Sequence, residues 1–463
     1  MSSYPKFAVV GHPNKGKSSI VASLALDNSI QIGNTPGTTQ VKRGFPLKVD
    51  GKVVYELFDT PGFQRARRVF SWLEEHGDVS ADKRADIVRE FVFKHKENNQ
   101  FRDEVELLEP ILAGAGIIYV VDASKPYGAE YEVEMEILRW CGQPSMAILN
   151  LIGDEDYRED WSRALGQYFR LVRTYNPITA GHREHLELLE SMAQLKEEWT
   201  NPIKKAIGVL ENLHEQKIEN SISTIVDYMV NVLSFVHTEN IKDEVLSQEE
   251  EEAAKVAYRE KIIRYEVNER ASIERIWNHN NIEKKEGALS LEDVGLFSKE
   301  SASIFGLSQK ELIVTGASAG ALTGVGFDLL TAGHSLFLGS VIGGVVGGVG
   351  AMFGFDNLYE VKVLGQSLGK RELSIGPMQN LNFPYVLLGR SLYHASTIAK
   401  RSHAVRSDLD LNNNSFTEKI MEASMRKELE KLHGKLRKSD EVEDELLVAY
   451  KKVIRESFRQ LLD

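Results

Sequence analysis

Two apolar periodicities alternate over the first two hundred residues of this chain. Continuous runs at Phe7–Val10, Ile117–Val121, Met146–Leu149 and Leu171–Thr174 read as strands buried on both faces. Alternating apolar positions from Val41 to Val49 and from Val53 to Phe58, joined by Asp50-Gly51, read as a hairpin. Helical spacing fills the intervals, over Ser19–Leu26, Ala85–His95, Phe101–Leu112, Tyr131–Trp140 and Glu184–Trp199. Strands that alternate with helices predict an α/β sheet. Asn201-Pro202 interrupts the last helix, which places a domain boundary there and divides the chain into 1–200 and 201–463.

The pattern then changes. From Lys205 to about Tyr265 the spacing is helical throughout, with Ile222, Ile225, Val226, Met229, Val232 and Leu233 on one face. The acidic run Glu249–Glu252 reads as a solvated helix start. The tail from Ser415 to Asp463 is helical and charged, and its basic stretch Arg426–Lys438 fits a solvated face or a lipid-headgroup contact. The segment 312–355 is different. Gly316, Gly320 and Gly324, then Gly339, Gly343 and Gly347, recur at intervals of four in two apolar blocks separated by Asp328. Each glycine costs about 1 kcal/mol relative to alanine in an isolated helix, so this hairpin must pack tightly on something. As helices the blocks reach about 24 and 40 Å, which leaves two readings: a membrane-contacting hairpin or a buried glycine zipper in a helical domain. Asp328 and His334 read as a cap or turn pair at its tip.

Composition narrows the function classes. With 42% apolar and 27% charged residues this is an ordinary folded chain of 463 residues, long enough for two or three domains. A net charge of −12 argues against nucleic acid as a partner, as does the absence of a G-x-x-G loop in a βααβ setting. One cysteine, Cys141, excludes an intrachain disulfide and a cysteine-rich metal site, and its apolar neighbours make it a buried structural thiol. Met1–Lys6 carries no signal-peptide pattern, so the expected location is cytoplasmic, with membrane association at the inner face if 312–355 reaches a bilayer.

The chemistry starts directly after the first strand, in Gly11-His12-Pro13-Asn14-Lys15-Gly16-Lys17-Ser18. A strand, a glycine-flanked loop, Lys-Ser and a helix make a phosphate-binding loop. Gly11 and Gly16 let the backbone N–H groups of the loop turn inward, and the helix N-terminus at Ser19 adds its positive end. Nucleotide contacts are expected from Gly11, Asn14, Lys15, Gly16, Lys17, Ser18 and Ser19. Lys17 should reach the β- and γ-phosphates and Ser18 should ligate magnesium. The second hairpin strand ends in Asp59-Thr60-Pro61-Gly62, which supplies an acid for magnesium and an N–H for the γ-phosphate. Thr39, or Thr38 beside it, would complete the magnesium shell from the loop before the hairpin.

These motifs resemble the Era, EngA and TrmE group of GTPases, and the whole chain resembles a bacterial group in which such a GTPase is fused to a C-terminal domain of unknown function. The resemblance implies a P-loop G domain, with a mixed sheet containing one antiparallel strand, followed by a mostly α-helical domain. It implies GTP and GDP as ligands, Mg2+ at Ser18, Thr39 and Asp59, and K+ at Asn14 in place of an arginine finger. Catalysis would fall to Lys17, Thr39 and Gly62. Phe63 stands where related switches carry a catalytic glutamine and cannot orient water, so hydrolysis should be slow unless potassium, a homodimer or a protein partner completes the site. The segment 63–115 enlarges switch II and is a natural place for such a partner; its Arg65, Arg67 and Arg68 read as a solvated cover. The guanine-reading motif is degraded to Asn150-Leu151-Ile152-Gly153, with Asp154 one residue late, so guanine preference rests on the resemblance and on Asn150 alone.

Overall fold

In a computed structural model of the chain, the residues described are 4–25, 43–49, 52–76, 79–241, 246–279, 284–285, 296, 305–306, 359–367, 370–402, 405, 409–410, 423–438 and 442–462. Thr38, Thr39, the Asp50-Gly51 turn, Asp328, His334 and the glycine block 312–355 lie outside them. The chain forms two compact units, Met1–His214 with Arg401–Arg406, and Glu215–Lys400 with Ser407–Asp463.

The first unit is built on a six-stranded sheet in the order β2-β3-β1-β4-β5-β6. Its strands are β1 (Lys6–Val10), β2 (Arg43–Val49), β3 (Lys52–Asp59), β4 (Gly116–Asp122), β5 (Ser145–Asn150) and β6 (Leu171–Thr174). Only β2 runs antiparallel, paired to β3; every other pairing is parallel. The continuous apolar runs have the expected cause. Phe7, Val9, Ile118 and Val120 pack with one face's helices, whereas Ala8, Val10, Ile117, Tyr119 and Val121 pack with the other's. On the first face lie α1 (Lys17–Ala25), α7 (His182–Ala193) and the start of α8 (Glu197–Ser234). On the second lie α2 (Ala66–His76), α3 (Arg84–His95), α4 (Arg102–Leu112), α5 (Glu130–Trp140) and α6 (Arg158–Leu165).

Two expectations about helices fail here. Glu184–Trp199 is not one helix, because α7 stops at Ala193 and α8 starts at Glu197. Asn201-Pro202 does not end a helix either; Pro202 sits in the second turn of α8. A proline there removes a single backbone hydrogen bond, while Ile203, Ala206, Ile207 and Leu210 beyond it are buried against the sheet. The chain passes from the first unit to the second inside α8, between His214 and Glu215.

The second unit is helical around a small antiparallel sheet. Among the described residues its longer helices are the rest of α8, α9 (Gln248–Ile276), α10 (Phe383–Lys400), α11 (Ala423–Leu436) and α12 (Asp444–Leu462). The sheet, in the order β7-β10-β9, consists of β7 (His237–Ile241), β9 (Tyr359–Ser367) and β10 (Lys370–Met378); a two-residue pairing joins β8 (Lys284–Lys285) to β11 (Leu409–Asp410). β7 therefore interrupts the helical spacing expected over 205–265. Its exposed centre, Thr238-Glu239-Asn240, carries no apolar alternation, and the strand is held by pairing with β10. The acidic run does start a helix: Ser247 Oγ accepts from Glu250 N at 3.2 Å and Glu250 Oε2 accepts from Ser247 N at 2.9 Å, a capping box for α9. Among the described residues no helix is long and apolar enough to cross a membrane.

Candidate functional site

The loops after β1, β3, β4, β5 and β6 all leave the carboxyl edge of the parallel sheet, where open α/β sheets bind ligands. The loop after β1 turns through left-handed backbone at Gly11 (φ 140°), Asn14 (φ 60°) and Gly16 (φ 85°) before α1 begins at Lys17. Gly11 and Gly16 have no room for a side chain. A Cβ at Gly11 would lie 2.5 Å from the Val120 carbonyl oxygen, and one at Gly16 would lie 2.3 Å from Asn150 Nδ2. Asn14 is exposed and Ser19 half-buried.

Lys17 folds back over this loop. Its Nζ donates to the carbonyl oxygens of Gly11 at 3.2 Å and His12 at 2.9 Å. Burial pushes its amine down to about 8, against the pull of Asp59 and Glu134, and Lys15 adds to the lowering. Ser18 Oγ donates to Asp59 Oδ2 at 2.8 Å, so the hydroxyl and carboxylate expected at one magnesium ion do converge. That oxygen pair at a helix N-terminus is a donor set a hard divalent cation accepts. Asp59 is held at the strand end by the register of β3 on β1, where it pairs with Val9. Thr60 Oγ1 anchors the next residue on the Val9 carbonyl oxygen at 2.8 Å. Gly62 lies flat against the loop, since a Cβ there would be 2.6 Å from Pro13 N. Phe63 is buried in the core, and its N–H donates to the Gly11 carbonyl oxygen at 3.3 Å.

Asn150 is buried and donates through Nδ2 to the Lys15 carbonyl oxygen at 3.1 Å, which ties the end of β5 to the phosphate loop. The loop after β6 is tied in turn, as Asn176 Nδ2 donates to the Leu151 carbonyl oxygen at 3.1 Å. A Cβ at Gly153, where the motif lacks its acid, would meet Ser124 Oγ at 3.1 Å, and that hydroxyl is already bound to Asp122.

Buried ionisable groups support the loop from below: Lys15, expected among the nucleotide contacts, and Glu134, which the sequence pattern did not single out. Lys15 is buried, with Nζ 4.0 Å from Asp122 Oδ2 and 5.6 Å from the centre of the Tyr131 ring. Glu134 is buried on α5; it bonds His12 Nδ1 through Oε1 at 2.8 Å and accepts from the Tyr119 hydroxyl through Oε2 at 3.0 Å. The available signal was position. Glu134 falls on the stripe Tyr131, Met135 and Leu138, where an acid has to be answered by a donor inside. Arg65, Arg67 and Arg68 are exposed, as a solvated cover requires. Among the described residues no cluster of three or more His, Cys, Asp or Glu could hold a metal.

Comparison with known proteins divides the chain earlier than its compact units do. Residues 6–150 match the profile of the 50S ribosome-binding GTPase family, and residues 162–457 match a domain of unknown function, DUF3482. A GTPase Der of Agathobacter rectalis is 37% identical over 87 residues, covering 18% of this chain and 20% of that protein. A GTPase Der of Caldanaerobacter subterraneus subsp. tengcongensis is 36% identical over 222 residues, covering 45% and 42%. The chain thus spans about a fifth of the length of the first curated relatives it matches. Among solved structures, a variant of Aquifex aeolicus Era bound to GDP and aluminium fluoride aligns at 12% identity with a TM-score of 0.28, covering 59% of this chain and 89% of that one. Residues 6–150 accordingly form a GTP-binding GTPase domain related to Der.

Proposed function

This chain belongs to the DUF3482 family, its domain of unknown function joined to an N-terminal GTPase domain, and we propose that it works as a nucleotide-dependent switch. The first unit binds GTP with magnesium and hydrolyses it slowly to GDP and phosphate. The observation that carries this reading is the convergence of Lys17, the Ser18–Asp59 pair and Gly62 on one glycine-turned loop. Ser18 and Asp59, joined by Thr39 from the preceding loop, hold the magnesium; the ion supplies neutralising charge at the phosphates. Lys17 gives up its carbonyl contacts for the β- and γ-phosphates, and the Gly62 N–H donates to the γ-phosphate. Gly11, Lys15, Gly16 and Ser19 line the cradle with backbone N–H groups, and Asn14 offers its exposed amide to potassium. Asn150 acts through the loop it braces, and the preference for guanine rests on the GTPase family match over residues 6–150.

Nucleotide state then passes through the enlarged switch II, 63–115, to a protein partner, a second copy of the chain or the second unit. The small-residue pattern of 312–355 supports contact with a membrane at its inner, cytoplasmic face. Calorimetric titration with GTP, GDP and ATP in potassium and sodium buffers tests the nucleotide half, and equal affinity for ATP defeats it. Fractionation with and without GTP tests the membrane half, which a wholly soluble protein in both conditions defeats. A second reading, a scaffold that binds nucleotide without turning it over, is favoured by the burial of Phe63, which leaves no side chain at that position to orient water. Phosphate release in potassium with and without liposomes separates the two.

A further inference from the structure

The connection between β3 and β4 is longer than its geometry needs, and one of its residues reaches back into the site. Beyond Gly62, the Phe63 N–H is bound to the phosphate loop at Gly11. The next two N–H groups, of Gln64 and Arg65, both donate to a single oxygen, Glu104 Oε1, at 3.0 and 2.6 Å. Arg65 Nη1 adds a bond to the Gln100 carbonyl oxygen at 2.9 Å, just ahead of α4. Glu104 is fully buried in the first turn of α4, and Leu107, Leu108 and Ile111 on the same face are packed in the core. The acceptor therefore cannot drift. Backbone from Gly62 to Arg65 is gripped on one side by Pro13 and Gly11 and on the other by Glu104.

A neutral acceptor would satisfy two backbone N–H groups just ahead of α2. Burying a carboxylate there is the more expensive solution, and its return is a stronger, charge-assisted grip on two donors. We propose that Glu104 is a positioning residue for γ-phosphate recognition: it fixes the segment after Gly62 so that the Gly62 N–H is aimed before nucleotide arrives. The proposal rests on the reading of Gly62 as the γ-phosphate donor. A donor aimed in advance needs no reorganisation at binding, so its benefit falls on the triphosphate and not on the diphosphate.

Equilibrium titration of the full chain with a non-hydrolysable GTP analogue and with GDP tests this, in wild type, Glu104→Gln and Glu104→Ala, with unfolding midpoints recorded for each. Glu104→Ala should weaken the analogue about tenfold while GDP affinity stays within about twofold. Glu104→Gln keeps an acceptor oxygen without the charge and should recover only part of that loss. Equal losses for both nucleotides reduce Glu104 to a structural cap and overturn the proposal, and so does unchanged discrimination in both variants. A wild type that binds the analogue no better than GDP defeats the γ-phosphate reading of Gly62, and the Glu104 proposal with it.

Discussion

Replacing Glu269 by glutamine should stabilise the second unit, and increasingly so as pH rises. Glu269 lies on the buried face of α9, only 4% exposed, and accepts from Ser391 Oγ of α10 at 2.7 Å. Burial is the main cause that pushes its carboxyl up to about 8 from an ordinary 4.5; Ser391 and Arg270 oppose the rise, and Glu266 and Glu274 add to it. The nearby arginines do not rescue it, because Arg270 Nη2 and Arg390 Nε both donate to Glu266, at 2.6 and 2.9 Å. The sign follows from proton counts. Between pH 4.5 and 8 the folded protein holds a proton that the unfolded chain has lost, so this group's stability is full below the unfolded value and is lost as pH rises through the folded one. From pH 6 to pH 9 the loss is about 2–3 kcal/mol for a single group with these two values. Glutamine keeps the Ser391 contact and never ionises. Amide hydrogen exchange of α9, compared between wild type and Glu269→Gln at each pH so that intrinsic rates cancel, reads the difference directly. The protection ratio should shift in favour of the variant by roughly 30- to 150-fold over that range. A ratio that stays constant with pH, or that moves the other way, refutes the argument.

Three further outcomes follow from the first unit. Because burial lowers the Lys17 amine to about 8 and phosphates must raise it again, nucleotide affinity should fall as pH climbs above about 8, by up to tenfold per pH unit; a titration series from pH 7 to 9.5 that stays flat contradicts this. Gly62→Ala would drive a methyl into Pro13, so it should cost the GTP analogue at least about tenfold in affinity while leaving the fold intact; isothermal titration beside an unfolding curve checks both parts. Cys141 is buried, bonded through Sγ to the Ile137 carbonyl oxygen at 3.4 Å and pushed up to about 12 by burial, so it should resist iodoacetamide until the protein is unfolded. Mass spectrometry of native protein that finds rapid alkylation overturns that placement.

What could be read from the sequence was whatever burial writes as pattern. The parallel strands and the phosphate loop were legible because both faces of β1, β4 and β5 are covered, which forces continuous apolar runs, and because glycine is the residue tolerated at Gly11 and Gly16. β7 was not legible, since a strand whose side chains face solvent is specified by its partner β10 and not by its own residues. α2 was hidden for a related reason: exposed Arg67 and Arg68 mask the buried Val69 and Leu73 beside them. Charged residues divide along the same line. Glu104, Glu134 and Glu266 look like solvated acids in composition, yet each falls on an apolar stripe of its helix and is answered inside the protein by backbone N–H groups, by His12 and Tyr119, or by Arg270 and Arg390. A carboxylate out of phase with solvent is therefore the feature in this sequence that most directly marks where the fold has built something, and in the first unit two such residues support the nucleotide loops, Glu134 through His12 and Glu104 through Gln64 and Arg65.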